Sequence, residues 1–380
     1  MFNPIFECIE KHFGAGRVGL HEPLLGEIEK QYLNQVIDSG FVSTAGVMVE
    51  QFEQTLIERT GAKYCVALVN GTAALQLGLI ALGVKPNDEV ITQSLTFIAT
   101  ANAIHHCGAD PVFVDVDEAS LGMSVSALAQ WLDANVELKN GVAVNRSTGK
   151  TVRACVPMHT FGLAVDIEAI VELCESFGIA VMEDAAEALG SSWRGKALGT
   201  FSRCGVFSFN GNKVITTGGG GALVTDDQHL ADQVRHLSTT AKLDVYRHDR
   251  AAFNFRMPNL NAALGCAQLT RLDAILSAKK SLAQDYQRAV GQVSGVSFFQ
   301  GRESESCNYW LSAVIFESLE LKNVFLARAE RLNVQCRSVW QLLHKSLPYR
   351  HCQTGSLSCS ESLAERVLCL PSMPAGEVVQ

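Results

Sequence analysis

Charge is scarce in this chain. Of its 380 residues only 18% are Asp, Glu, Lys or Arg, against 47% hydrophobic, a balance that excludes extended disorder and fits a well-buried globular protein. No basic stripe offsets the net charge of −8, so electrostatic capture of nucleic acid or of an acidic membrane is excluded as a function class. Long apolar runs are lacking too, and none approaches the roughly 20 residues of a membrane-spanning helix. The opening "MFNPIFECIEKHFGAGRV" carries charges within its first dozen positions and lacks the apolar core of a signal peptide. Cysteine itself is not rare, at twelve residues, but no two are spaced C-x-x-C. That removes the usual thiolate metal site. Cys65, Cys155 and Cys204 sit inside apolar strand-like runs, where a reduced thiol packs as a small hydrophobe. A reduced, cytoplasmic setting without a metal is expected. Missing as well is a G-x-G-x-x-G after the first strand with an acid about 20 residues on, which argues against a nicotinamide dehydrogenase.

What is present is a rhythm. From about residue 50, helix "VEQFEQTLIERTG" precedes strand "YCVALV" (64–69), the turn "NGT" and helix "AALQLGLIALG". Strands "DEVITQ" (88–93), "PVFVDVD" (111–117), "RACVPMH" (153–159) and "IAVMEDAA" (179–186) follow, with helical stretches between them. These strands read as near-continuous apolar runs rather than alternating ones, the mark of a mainly parallel sheet covered by helices on both faces. After about residue 228 helices dominate, joined by strand-like "NYWLSAVIF" and helix "LKNVFLARAERLN". The length and this change of pattern predict a large α/β domain over residues 1–255, lead-in included, and a smaller C-terminal α+β domain over 256–380.

Ligands of such a sheet bind beyond the carboxyl ends of its strands, and four loops there are chemically unusual. In "VNGTAAL" (69–75) a strand ends directly on a helix start, so Gly71 and Thr72 form either a phosphate cradle or an ordinary helix cap. In "LTFIAT" (95–100), Phe97 either stacks on a planar ligand or fills core. In "MEDAAEALG" (182–190), Glu183 and Asp184 close an apolar strand. A buried carboxylate there needs a cationic partner, and an N-cap or a metal would also satisfy Asp184. In "GVFSFNGNKVITTGGGGALVTDD" (205–227), Lys213 follows an apolar strand and precedes four glycines, with Ser208 five residues before it. A lysine in apolar surroundings becomes a usable nucleophile, whereas Lys196 and Lys242 fall in polar turns. Phosphate cradle, aromatic face, acid and lysine are together what pyridoxal phosphate requires.

With these segments assembled, the chain resembles the DegT/DnrJ/EryC1/StrS family of pyridoxal-phosphate sugar aminotransferases, of the type I aminotransferase fold. The resemblance runs from about residue 20 to 345 through "GFVSTAG", "VNGTAALQLGL", "NDEVITQSLTFIATANAI", "PVFVDVD", "MHTFGLAVDIEAI", "EDAAEALGS", "FSFNGNKVITTGGGGALVTDD" and "FNFRMPNLNAALGCAQL". It implies that Lys213 is the Schiff-base lysine and that Asp184 pairs with the pyridine nitrogen. It implies that Gly71, Thr72 and Ser208 hold the phosphate, that Phe97 stacks on the ring and that Glu187 lies near the phenolic oxygen. It implies further that Asn254 reaches the phosphate of a neighbouring subunit, hence a homodimer with shared sites. Within the family the likeness is to enzymes that aminate C4 of UDP-4-keto-6-deoxy-N-acetylglucosamine with L-glutamate. Arg337, Trp340 and His344 of "RSVWQLLH" are candidates for that acceptor, or else a packed strand and helix. One segment departs from the family pattern: "GLAVD" stands where relatives usually have Gly-His/Asn-Pro-x-Asp. Members that dehydrate the sugar carry His in place of the lysine, so Lys213 argues for transamination.

Overall fold

The computed structural model describes residues 1–374. Seven runs pair into one sheet: β1 (Tyr64–Leu68), β2 (Glu89–Gln93), β3 (Asp110–Val114), β4 (Val152–Val156), β5 (Ala180–Asp184), β6 (Cys204–Ser208) and β7 (Gly221–Thr225). Their spatial order is β1-β7-β6-β5-β4-β2-β3. β7 runs opposite in direction to the other six. The apolar runs are continuous because successive side chains enter two different cores. Cys65 and Ala67 of β1 join one cluster while Val66 and Leu68 join the other, and Val181 and Met182 of β5 divide in the same way.

Helices cover both faces. α2 (Glu27–Ser39) and α3 (Val47–Thr60) precede the sheet, α4 (Gly71–Ala81) follows β1, and α5 (Ile98–His106) follows β2. α4 is apolar nearly all round and lies buried. Among the described residues no helix is long and apolar enough to cross a membrane.

The antiparallel insertion of β7 explains the glycine run. Ser208, Gly221 and Leu68 stand side by side across three strands, directly under the turn that starts α4. A Cβ on Gly221 would lie 2.4 Å from the carbonyl carbon of Asn70 and 2.6 Å from the Gly71 nitrogen. Only glycine lets the returning strand pass beneath that turn. Gly218 has φ +79°, the left-handed region that favours glycine.

The C-terminal layer is a four-stranded antiparallel sheet in the order β8 (Val296–Phe298), β9 (Ser312–Phe316), β11 (Val367–Leu370), β10 (Arg337–Ser338). α6 (Asn259–Thr270) packs against α2 and α3, while α7 (Leu272–Val290) and α8 (Leu319–Arg331) belong to the C-terminal layer. The hydrophobic clusters therefore do not follow a single cut at residue 255. Phe2, just before α1 (Asn3–Phe13), and Ile5, Phe6 and Ile9 of that helix pack with Leu282, Tyr286, Phe316 and Phe325, so the lead-in completes the C-terminal core. Val18 then pairs with Val334, which brings residues 20–22 to the rim of the cleft between the two layers.

Candidate active site

Strands β1, β2, β5 and β6 end at one edge of the sheet, and the loops beyond them line a cleft of about 570 Å³. The turn after β1 carries a helix cap and leaves room for an anion beside it. The Asn70 side chain caps α4 by accepting from the Ala73 amide at 2.8 Å, which leaves the first-turn amides at Gly71 and Thr72 beyond the reach of helical carbonyls. The end of β6 closes against them. A Cβ on Gly71 would sit 3.0 Å from the Ser208 Cβ and 3.2 Å from its hydroxyl, so this glycine is what keeps the amides and the hydroxyl in one small niche. Niche and helix dipole together favour an anion.

At the end of β5, neighbouring carboxylates point to opposite faces, as strand geometry requires. Asp184 lines the cleft and is almost fully buried. Its Oδ2 accepts from the Thr100 hydroxyl at 2.7 Å and its Oδ1 from the Ala186 amide at 3.2 Å. Burial pushes its pKa up, while these hydrogen bonds and the Lys213 ammonium oppose the rise. Glu183 turns away, into the amides of residues 199–202 and the His159 ring. Among the described residues no group of three or more His, Cys, Asp or Glu is arranged to hold a metal.

Lys213 enters from the loop between β6 and β7. Its Nζ lies 3.1 Å from Glu187 Oε1 and 3.9 Å from the centre of the Trp310 ring. Trp310 also holds the loop, donating from Nε1 to the Asn212 carbonyl at 2.6 Å. Glu187 Oε2 accepts from the Phe161 amide at 3.0 Å. Burial pushes the Glu187 pKa up to about 7 even though the lysine pulls it down. The departing segment "GLAVD" is held firmly: Phe161 has φ +57°, a Cβ on Gly162 would strike the Asn308 side chain, and Arg302 bonds the Ala164 carbonyl at 2.8 Å.

Phe97 is not core. It stands just before α5, is 50% exposed, and faces Trp340 across 6.4 Å at the cleft mouth. Arg337 and Trp340 line the same cleft. His344 and Asn254 are not among its lining residues. His344 Nδ1 is 2.7 Å from the Ser94 hydroxyl, and its Nε2 is 3.5 Å from Glu361. Asn254 is exposed on the surface, paired through its backbone with Thr239, while Arg256 beside it turns inward to Glu53 at 2.8 Å. Lys196 and Lys242 are solvent-exposed, as their turns suggested.

Thr100, Trp310 and His21 also belong to this site and were not singled out from the sequence. Thr100 had a signal, since it lies three residues after Phe97, in the first turn of α5. Trp310 stands in an apolar strand-like run and His21 in the lead-in, and neither carries a local pattern that distinguishes it.

The geometry fits pyridoxal phosphate. An anion niche, a buried carboxylate whose hydrogen-bond donors are all neutral, and a lysine share one cleft, and they match the cofactor's phosphate, basic ring nitrogen and aldehyde. Comparison with known proteins agrees. Residues 23–377 match the DegT/DnrJ/EryC1/StrS aminotransferase family. The chain is 35% identical over 364 residues to EpsN of Bacillus subtilis (strain 168), which bears the name of a pyridoxal phosphate-dependent aminotransferase, covering 94% of this chain and 91% of EpsN. It is 34% identical to the GDP-perosamine synthase of Vibrio cholerae, covering 94% of each. The crystal structure of a DegT DnrJ EryC1 StrS aminotransferase from Brucella abortus superposes with a TM-score of 0.85 at 28% identity, over 93% of this chain and 92% of that one. The chain belongs to the DegT/DnrJ/EryC1/StrS aminotransferase family and is a pyridoxal-phosphate-dependent sugar aminotransferase.

Proposed function

We propose that this enzyme moves the amino group of L-glutamate to C4 of a nucleotide-linked keto-deoxysugar, with UDP-4-keto-6-deoxy-N-acetylglucosamine as the acceptor. The observation that carries the reaction is the convergence of Lys213, Asp184 and the Gly71–Ser208 niche on one cleft. The bound cofactor supplies an electron sink for the carbon that loses its proton. The Gly71 and Thr72 amides and the Ser208 hydroxyl would hold the phosphate. Asp184 would pair with the ring nitrogen, Phe97 would cover the ring and Glu187 would stand by the phenolic oxygen. Lys213 Nζ would move the proton from the α-carbon of glutamate to the cofactor's C4′, and in the second half-reaction from C4′ to C4 of the sugar. Between those steps the Glu187 carboxyl group and the Trp310 ring hold the amine close to where it acts.

Arg337 at the cleft rim suits a diphosphate, and Trp340 suits a base or sugar face. His344, bonded to Ser94, supports the wall behind them. A homodimer is part of the proposal: Asn254 lies exposed and outside the cleft of its own chain, as a residue serving a partner's phosphate niche would. Asn254→Ala should then weaken cofactor retention without changing the fold. Unchanged affinity would argue against shared sites. A GDP-linked sugar is the second reading, favoured by relatives named GDP-perosamine synthase at 34% and 35% identity.

The deciding experiment offers glutamate with UDP-, GDP- and dTDP-linked keto-sugars and reads product structure by NMR. Glutamate-dependent amination at C4 of the UDP sugar is expected. Turnover confined to the GDP sugar would select the second reading. No turnover on any of them would overturn the proposed acceptor.

A further inference from the structure

Behind Asp184 lies a buried polar pair for which the chemistry above has no role. The Asp184 backbone is tied at both ends to the segment after β4: its amide donates to the Pro157 carbonyl at 2.9 Å, and its carbonyl accepts from the His159 amide at 3.1 Å. The neighbouring Glu183 binds the same histidine through side chains, with Glu183 Oε2 3.0 Å from His159 Nε2 and both groups fully buried. Two adjacent residues of β5 thus grip one residue, by backbone and by ring.

The hydrogen bonds assign the histidine proton. The Val165 amide is directed at His159 Nδ1 at 3.4 Å, so Nδ1 accepts and the ring proton sits on Nε2, pointing at Glu183. An imidazolium would set a second N–H against the Val165 amide, donor to donor. The remaining donors to Glu183 are neutral: the amides of Gly199 (2.7 Å), Phe201 (2.8 Å) and Ser202 (2.9 Å) and the Ser202 hydroxyl (3.0 Å). They satisfy the carboxylate without a cation and anchor the loop that leads into β6.

We propose that neutral His159 and Glu183 form a positioning pair for Asp184, locking the end of β5 while leaving the Asp184 charge uncompensated for a cationic ring nitrogen. The inference rests on reading Asp184 as the partner of that nitrogen. A cation at His159 would compete with the pyridinium for Asp184, whereas a neutral ring holds geometry without drawing on its charge.

The test titrates cofactor-free enzyme with pyridoxal phosphate, reading the dissociation constant by tryptophan fluorescence and the absorption maximum of the bound chromophore. His159→Leu, which loses the donor, should weaken binding by about tenfold or more, the worth of a hydrogen bond to a charged group, and shift the maximum. His159→Gln, which keeps an N–H donor, should recover most of both. In ¹⁵N-histidine spectra of the wild-type enzyme at pH 7, the signal lost in His159→Gln should report a neutral ring protonated at Nε2. Asp184→Asn is run alongside. If Asp184→Asn is impaired while His159→Leu binds within about twofold of wild type, the positioning role is wrong. If Asp184→Asn binds and absorbs as wild type, the reading of Asp184 itself fails. An imidazolium spectrum also overturns the proposal, and it decides alone should His159→Leu fail to fold.

Discussion

Glu187 gives the sharpest test of how burial shapes this site. The group ordinarily titrates at 4.5, and burial pushes it up to about 7, with Lys213 opposing the rise and the Asp184 charge adding to it. A gap of that size corresponds to about 3 kcal/mol of linkage between protonation and folding. The sign follows from which state holds the proton. Between the two values folded Glu187 is protonated and unfolded Glu187 is not, so its contribution is complete below 4.5 and disappears as pH rises through 7. Over the accessible interval from about pH 5.5 to about pH 8 the loss is about 2 kcal/mol. Glu187→Gln carries no titrating proton and should not share it, and its lost contact with Lys213 is an offset that stays constant over this range. Urea unfolding of cofactor-free wild type and Glu187→Gln at both pH values should show the wild type losing about 2 kcal/mol relative to the variant, at equal m-values. A difference that holds constant to within about 0.5 kcal/mol would refute the claim that Glu187 is held protonated by burial.

Three further outcomes follow from single contacts. Lys213→Ala should abolish both the visible absorbance of covalently held cofactor and transamination, and a variant that keeps both would remove Lys213 from its role. Gly221→Ala sets a Cβ 2.4 Å from the Asn70 carbonyl carbon and should cost about 1–3 kcal/mol in denaturant unfolding while also weakening cofactor retention, because the displaced turn begins α4. Thr100→Val removes the hydroxyl that donates to Asp184 at 2.7 Å. It should weaken cofactor binding by about tenfold in fluorescence titration, in line with a hydrogen bond to a charged group.

Much of this site was legible because its chemistry sits at strand ends, where sequence pattern and function coincide. Lys213, Asp184, Gly71 and Ser208 each terminate or follow an apolar run, and a parallel sheet brings such ends to one edge whatever the details of its loops. The loops themselves were less legible. "NGT" carried two readings; Asn70 serves as the cap, and the approach of Ser208 to Gly71, which leaves the two readings compatible, appears only in the folded chain. The four glycines after Lys213 stand out in the sequence without naming what they approach; the nearest obstacle to a Cβ at Gly221 is the backbone of Asn70 and Gly71. That contact joins residues some 150 positions apart, and no local pattern encodes it. Trp310 and His21 escaped notice for the same reason, since each meets Lys213 or its surroundings only after the C-terminal layer and the lead-in have packed together.

The pair Glu183–Asp184 shows where sequence reading stops and why. An apolar strand closing on two acids announces a buried carboxylate, and alternation along the strand requires the two to face apart. Which of them faces the cleft depends on register. Asp184 pairs with Val206 of β6 and bridges to Met158, and a slip of one residue would turn Glu183 toward Thr100 and Asp184 toward residues 199–202. Register here is fixed by the split core, with Val181 committed to one cluster and Met182 to the other. The orientation of the acid that faces the cleft is therefore set by two apolar side chains two and three residues before it. Exchanging their sizes should disturb cofactor binding without touching any residue of the cleft.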